Sequence, residues 1–150
     1  MDHPSKLSIT DFLSEVHPNY VDFVSQTHEL LTKANHKSKF DTRRYGITAQ
    51  YTSPITKRLA LQFFIRDGIL SMYLYSGFIY CYDHLFDTLP SYVFKALEAN
   101  NDCRDCGAGC NNNICTMNGK QYRKCFNGRT LFTVTEEVTN ILSILQKICE

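Results

Sequence analysis

The chain has 150 residues, 43% of them hydrophobic and 21% charged, which fits one globular domain with an ordinary core and excludes intrinsic disorder. A formal net charge of +1 provides no global field to attract a polyanion, so any nucleic-acid-binding surface has to be local. The most apolar region, 59–86, is interrupted by Arg66, Asp67, Gly68, Asp83 and His84, so no membrane span of about 20 residues can be drawn and no membrane partner is expected.

In chain order, the first twelve residues hold one lysine and no long apolar run, so no secretory leader is expected and the chain reads as cytoplasmic. Ser8-Ile9-Thr10-Asp11 supplies helix-capping residues ahead of Phe12, Leu13 and Val16, and Pro18 interrupts that pattern. A second helix is expected from Pro18-Asn19, with Tyr20, Val21, Phe23, Val24, Leu30 and Leu31 at helical spacing and residues 35–39 as its polar exit.

From Tyr45 the period becomes two. Tyr45, Ile47, Ala49 and Tyr51 predict a half-buried strand, Ser53-Pro54 a turn, and Leu59, Leu61, Phe63 and Ile65 a second strand. Asp67-Gly68 suits a two-residue type I′ turn, after which Ile69 to Tyr75 returns. Three such strands make an antiparallel meander whose inner face needs a helix to cover it, and the N-terminal helices are the candidates. The segment 78–86 is ambiguous between a short aromatic helix and a strand. Pro90 or Ser91 starts a helix through Val93, Phe94 and Leu97 that ends near Asn100-Asn101. A hairpin turning at Asn118-Gly119 spans 114–124, and Asn127-Gly128 precedes a strand over 130–134. Thr135 caps a last helix with Val138, Ile141, Leu142, Leu145 and Ile148 on one face. The expected fold is a single α+β domain over 1–150: N-terminal helices on an antiparallel sheet, a Cys-rich loop and hairpin, and a C-terminal helix.

Five of the seven cysteines, Cys103, Cys106, Cys110, Cys115 and Cys125, crowd into 103–125 among glycine, asparagine and charged residues. A reducing compartment and an odd cysteine count disfavour a disulfide framework, which leaves metal binding, thiol chemistry or unliganded cysteines. Cys103-x2-Cys106 is the spacing at which two thiolates on a turn reach one tetrahedral ion, and Cys110 follows on the same loop. Hairpin register chooses the fourth ligand. With Asn118-Gly119 as the turn, Met117 pairs with Lys120, Cys115 with Tyr122 and Asn112 with Cys125, so Cys125 returns to the Cys110 loop while Cys115 faces the other way. The expected set is a four-thiolate structural zinc site at Cys103, Cys106, Cys110 and Cys125, with no position left open for a catalytic water. A thiol-redox use of the CxxC is the rival, although this motif does not open a helix inside a βαβ unit.

The runs Phe86-Asp87-Thr88-Leu89-Pro90, Cys106-Gly107-Ala108-Gly109-Cys110 and Met117 to Phe126 resemble those of a family of small uncharacterised bacterial proteins. In that family an acidic FLDxLP-like segment precedes a helix, a lone cysteine, a CxxxC pair and a Gly-x-x-Tyr-x-Lys-Cys hairpin. The resemblance implies a match of Cys103, Cys106, Cys110 and Cys125 to the family's cysteines, with Cys115 at an apolar strand position. It implies no activity. This chain has a shorter spacer before the pair and lacks the proline usual there.

Other constellations are weaker. Cys81 with His84 reads as a buried thiol and a surface imidazole rather than a nucleophile pair, and Asp83 with Asp87 as a solvated face. Lys120, Tyr122, Arg123, Lys124 and Arg129 form a small basic and aromatic set that could contact single-stranded nucleic acid, as zinc knuckles do. The aromatics Tyr73, Tyr75, Phe78, Tyr80, Tyr82 and Phe86 could line a pocket, with core packing as the plainer reading. The leading expectation is a non-enzymatic binding or interaction module with structural zinc and a protein or nucleic-acid partner; the alternatives are a nucleic-acid-binding protein using the hairpin and a thiol-redox or small-ligand enzyme.

Overall fold

The computed structural model describes residues 6–44, 46–79, 87–103, 113–125 and 128–149. Its first helix, α1 (Ile9–Leu13), is held by a reciprocal capping box: the Ser8 hydroxyl accepts from the Asp11 N–H, and the Asp11 carboxylate accepts from the Ser8 N–H at 2.7 Å. Pro18 opens a 3-10 turn (Pro18–Tyr20) that leads into α2 (Val21–Lys33). The end of α2 is a Schellman motif. Asn35 takes φ 64°, the His36 N–H donates to the Leu31 carbonyl and the Asn35 N–H to that of Thr32.

Among the described residues seven strands follow: β1 (Lys37–Arg43), β2 (Gly46–Thr52), β3 (Leu59–Arg66), β4 (Ile69–Tyr75), β5 (Asn113–Met117), β6 (Lys120–Lys124) and β7 (Arg129–Thr133). The main sheet is antiparallel in the order β1-β2-β3-β4-β7, and β5 with β6 forms a separate hairpin. The expected meander is therefore its centre, extended on both sides. Strand β1 replaces the polar exit expected over 35–39: it is an edge strand with only Phe40 as an apolar anchor, and its ladder to β2 supplies what hydrophobic patterning does not. At the other edge, β7 lies against β4, with Phe132 opposite Met72.

The two turn dipeptides behave as their chemistry requires. Asp67 and Gly68 have φ of 53° and 77°, and Asn118 and Gly119 of 52° and 78°, the doubly positive pattern of type I′ turns. A bulge at Ala60 shifts the β2–β3 register, so that Thr52 pairs with Leu59 and Tyr51 with Leu61. Alternation then sends Ile47, Ala49, Tyr51, Leu61, Phe63, Ile65, Leu70, Met72, Leu74 and Phe132 to one buried face, while Leu59 drops out of the set.

The N-terminal helices cover that face. The Phe12 ring lies 6.3 Å from Phe63 and 6.5 Å from Phe40, and Phe23 meets Phe63 edge-on at 5.8 Å. Val24 and Leu31 of α2 are fully buried, and the helix also packs against the C-terminal helix. Tyr51 is wholly buried on β2 with its hydroxyl 2.9 Å from His28 Nδ1, a polar group satisfied inside the core. After a short helix α3 (Ser76–Ile79), α4 runs Ser91–Ala99 from Pro90. The last helical segment, capped by Thr135 as expected, is two pieces, α5 (Glu136–Thr139) and α6 (Leu142–Ile148). Between them, N–H groups of Asn140 and Ile141 donate three residues back, to Glu137 and Val138, and this tightening keeps Val138, Ile141, Leu145 and Ile148 buried. Among the described residues no helix is long and apolar enough to cross a membrane.

Candidate metal site on the cysteine hairpin

The hairpin pairs as its turn dictates: Met117 with Lys120, Cys115 with Tyr122 and Asn113 with Lys124. The residues between α4 and the cysteine loop add a third, short edge to it. Asp102 forms an antiparallel bridge with Lys124, the Cys103 N–H donates to the Arg123 carbonyl at 2.9 Å, and the Cys125 N–H donates to that of Asn101 at 2.5 Å. Asn101 makes the reversal out of α4 with φ 64°, a conformation that asparagine tolerates.

Period-two alternation across these three segments separates two faces. One carries Asp102, Lys124, Tyr122, Cys115 and Met117, and it is turned inward: Cys115, Met117 and Lys124 are buried. The other carries Cys103, Arg123 and Cys125, so the two cysteines fall on one face of adjacent segments, two register steps apart. Both are half-buried, and among the described residues no two cysteines are joined by a disulfide. Their thiols are chemically suited to zinc, and the register places Cys115 on the opposite face from both. Cys106 and Cys110 lie outside the described residues, as do Asn112, Cys81, Asp83, His84, Tyr80, Tyr82 and Phe86. Among the described residues no group of three or more His, Cys, Asp or Glu side chains gathers to hold a metal. Burial pushes the Cys149 thiol pKa up, which favours its neutral form.

On the inward face, Lys124 is the feature the sequence reading did not anticipate. Its side chain is 1% exposed, and the ammonium donates to the Glu98 carbonyl at 2.5 Å, the Asn100 carbonyl at 2.8 Å and Asp102 Oδ1 at 2.7 Å. All three donors are used. Two of them close carbonyls at the end of α4, where the helix dipole also favours a cation. The Asn100 amide adds a bond to the Ala96 carbonyl at 2.6 Å. Beside Lys124, the Tyr122 hydroxyl donates to the Glu98 carboxylate, which pushes the Tyr122 phenol up to about 12. The ammonium groups of Lys124 and Lys120 lie 5.4 Å and 5.2 Å from the Tyr122 ring centroid.

The five residues read as a basic and aromatic contact set are therefore dispersed. Lys124 and Tyr122 clamp the hairpin to α4, Lys120 and Arg123 are exposed, and Arg129 lies on the main sheet with its guanidinium carbon 4.1 Å from the Tyr73 centroid. A signal for the clamp was present in the register: Tyr122 and Lys124 share the side of Cys115, the residue expected to point inward. No protein-family model, curated protein or solved structure matches the chain.

Proposed function

We propose that the chain is a non-enzymatic binding module whose cysteine-rich segment is stapled by a structural zinc ion on Cys103, Cys106, Cys110 and Cys125. The observation that supports this reading is the Asp102–Lys124 bridge, which sets Cys103 and Cys125 on one face while Cys115 is buried on the other. Four thiolates close a tetrahedral shell, and an ion so held contributes folding energy without an open position for substrate. The test is metal analysis of reduced protein purified without a metal column. About one equivalent of zinc is expected, lost in Cys103→Ser and Cys125→Ser and retained in Cys115→Ser. Less than about half an equivalent in the reduced wild type, or equal loss in the Cys115 variant, refutes the assignment.

A further inference from the structure

The sheet face turned away from the helices is chemically unlike the rest of the molecule. Register places Lys37, Lys39, Asp41 and Arg43 of β1, Gln62, Phe64 and Arg66 of β3, Tyr73 and Tyr75 of β4 and Arg129 and Leu131 of β7 on this side. Among the described residues five cations stand against one carboxylate on these strands, a formal +4 on a chain whose total is +1. The carboxylate, Asp41, is already paired with Lys39 at 4.0 Å and Arg43 at 3.5 Å. The face is open to solvent at its rim, where Ile69 and Leu131 are 55% and 54% exposed.

At its centre the aromatics are ordered. Phe64 and Tyr73 stack with centroids 5.2 Å apart and planes 26° apart, and Tyr75 adjoins Tyr73 at 6.4 Å while donating its hydroxyl to Gln62 Oε1 at 3.1 Å. Against them lies a cleft of about 240 Å³ bounded by Arg43, Thr48, Gln62, Phe64, Arg66 and Tyr73. An aromatic wall, hydrogen-bonding side chains on the floor and guanidinium groups at the edge are what a stacked base and its phosphates require.

We propose that this sheet face binds single-stranded nucleic acid, with a base against Phe64 and the rim of Tyr73, one face of which the Arg129 guanidinium covers, and the backbone along Arg43, Arg66 and Arg129. The electrostatic asymmetry favours a polyanion over an apolar protein partner, and the stacked rings favour unpaired bases over a duplex, whose bases are not free to stack. The proposal deepens the binding-module reading without resting on the zinc site, whose metal content is measured separately.

The experiment is fluorescence anisotropy of the full chain with labelled twelve-nucleotide oligo-U and oligo-dT, a duplex of the same length, and polyglutamate as a non-stacking polyanion. Saturable binding to the single strands is expected. Three phosphate contacts give a log–log salt slope of about −2, or roughly 20-fold weaker binding from 50 to 200 mM salt. Tyr73→Leu and Arg43→Glu, each confirmed folded by circular dichroism, are expected to weaken binding by about tenfold or more, with Arg123→Glu on the hairpin near wild type. Three results overturn the proposal: no saturable binding at 50 mM salt, duplex or polyglutamate bound as tightly as the single strands, or a loss confined to Arg123→Glu.

Discussion

Replacing Lys124 by methionine tests what joins α4 to the hairpin. The substitution keeps the length and most of the volume of a side chain that is 1% exposed, and removes only the charge and its donors. The Glu98 and Asn100 carbonyls lose charged partners at 2.5 Å and 2.8 Å, each bond being worth about 1.5–3 kcal/mol, and the helix end loses a favourable cation worth about 0.3–1 kcal/mol. Against this, the folded state no longer desolvates an ammonium, a penalty of several kcal/mol in real proteins. Asp102, 75% exposed, rehydrates at little cost. The net expectation is a destabilisation of about 2–4 kcal/mol, or roughly 5–15 °C in Tm for a chain of this size. Urea denaturation monitored by circular dichroism, at matched metal content, measures it. Lys120→Met on the same strand is exposed and should stay within about 0.5 kcal/mol of wild type. Asp102→Asn keeps an oxygen acceptor for the ammonium and removes the charge of a carboxylate that is itself 75% exposed, so it should cost about 1–2 kcal/mol, less than Lys124→Met. If Lys124→Met lies within about 1 kcal/mol of wild type, or if Asp102→Asn matches it, the carbonyls are not what the lysine holds, and the capping argument fails.

Gly46 and Gly68 both have positive φ, 132° and 77°, yet a Cβ on Gly46 would be driven into the Ile65 carbonyl whereas one on Gly68 meets nothing. Gly68→Ala is therefore expected to cost about 1–2 kcal/mol, and Gly46→Ala measurably more, in the same urea assay; equal costs refute the steric reading. For Tyr122, the Glu98 bond stabilises the neutral phenol, so its folded pKa of about 12 exceeds the ordinary value of about 10. Its contribution to stability is fully present below about pH 10 and is lost as pH rises from there through about 12. The difference in phenolate absorbance between wild type and Tyr122→Phe should show one group titrating near 12, and one titrating near 10 removes the hydrogen bond from the account.

Local chemistry was the most legible level of the sequence. Asp67-Gly68 and Asn118-Gly119 demand two consecutive positive φ angles and obtain them, and Ser8 with Asp11 forms both halves of its box. From the Asn118-Gly119 turn alone the pairing of Cys115 with Tyr122 followed, and with it the burial of Cys115. What escaped depended on partners distant in sequence. Strand β1 has one apolar residue facing the core, so nothing in its own pattern separates it from a loop until β2 offers a ladder. The docking of β7 beside β4 is set by Phe132 meeting Met72, a match no local period encodes. Lys124 was read as a surface cation because its type outweighed its register. The oxygens that make its burial tolerable come from the end of α4, over twenty residues earlier. Arg129, grouped with the hairpin by its place in the sequence, has Tyr73 of the main sheet as its neighbour.

The hairpin and the sheet face meet at one junction, which would couple the proposed staple to the proposed binding face. Asn101 accepts from the Cys125 N–H and donates its amide to the Thr130 hydroxyl at 2.9 Å, so a single residue fixes both the start of the cysteine face and the start of β7. Gly128 sits against the Asn101 side chain so closely that a Cβ there has no room, and its carbonyl accepts from the Ser76 N–H at 2.9 Å at the end of β4. Arg129 follows immediately, and its guanidinium lies over Tyr73. The Cys125 backbone, Asn101, Gly128 and Thr130 thus form one connected set of contacts that leads to Arg129 and the aromatic cluster. Lys124 secures the same junction from the buried side, by tying the α4 terminus to β6. On the inner face it is the Lys124 ammonium that restrains β6, independently of the cysteines on the outer one. Removal of the proposed zinc should accordingly loosen the cysteine face while leaving the α4 contact, and the Tyr122 phenol that reports on it, in place.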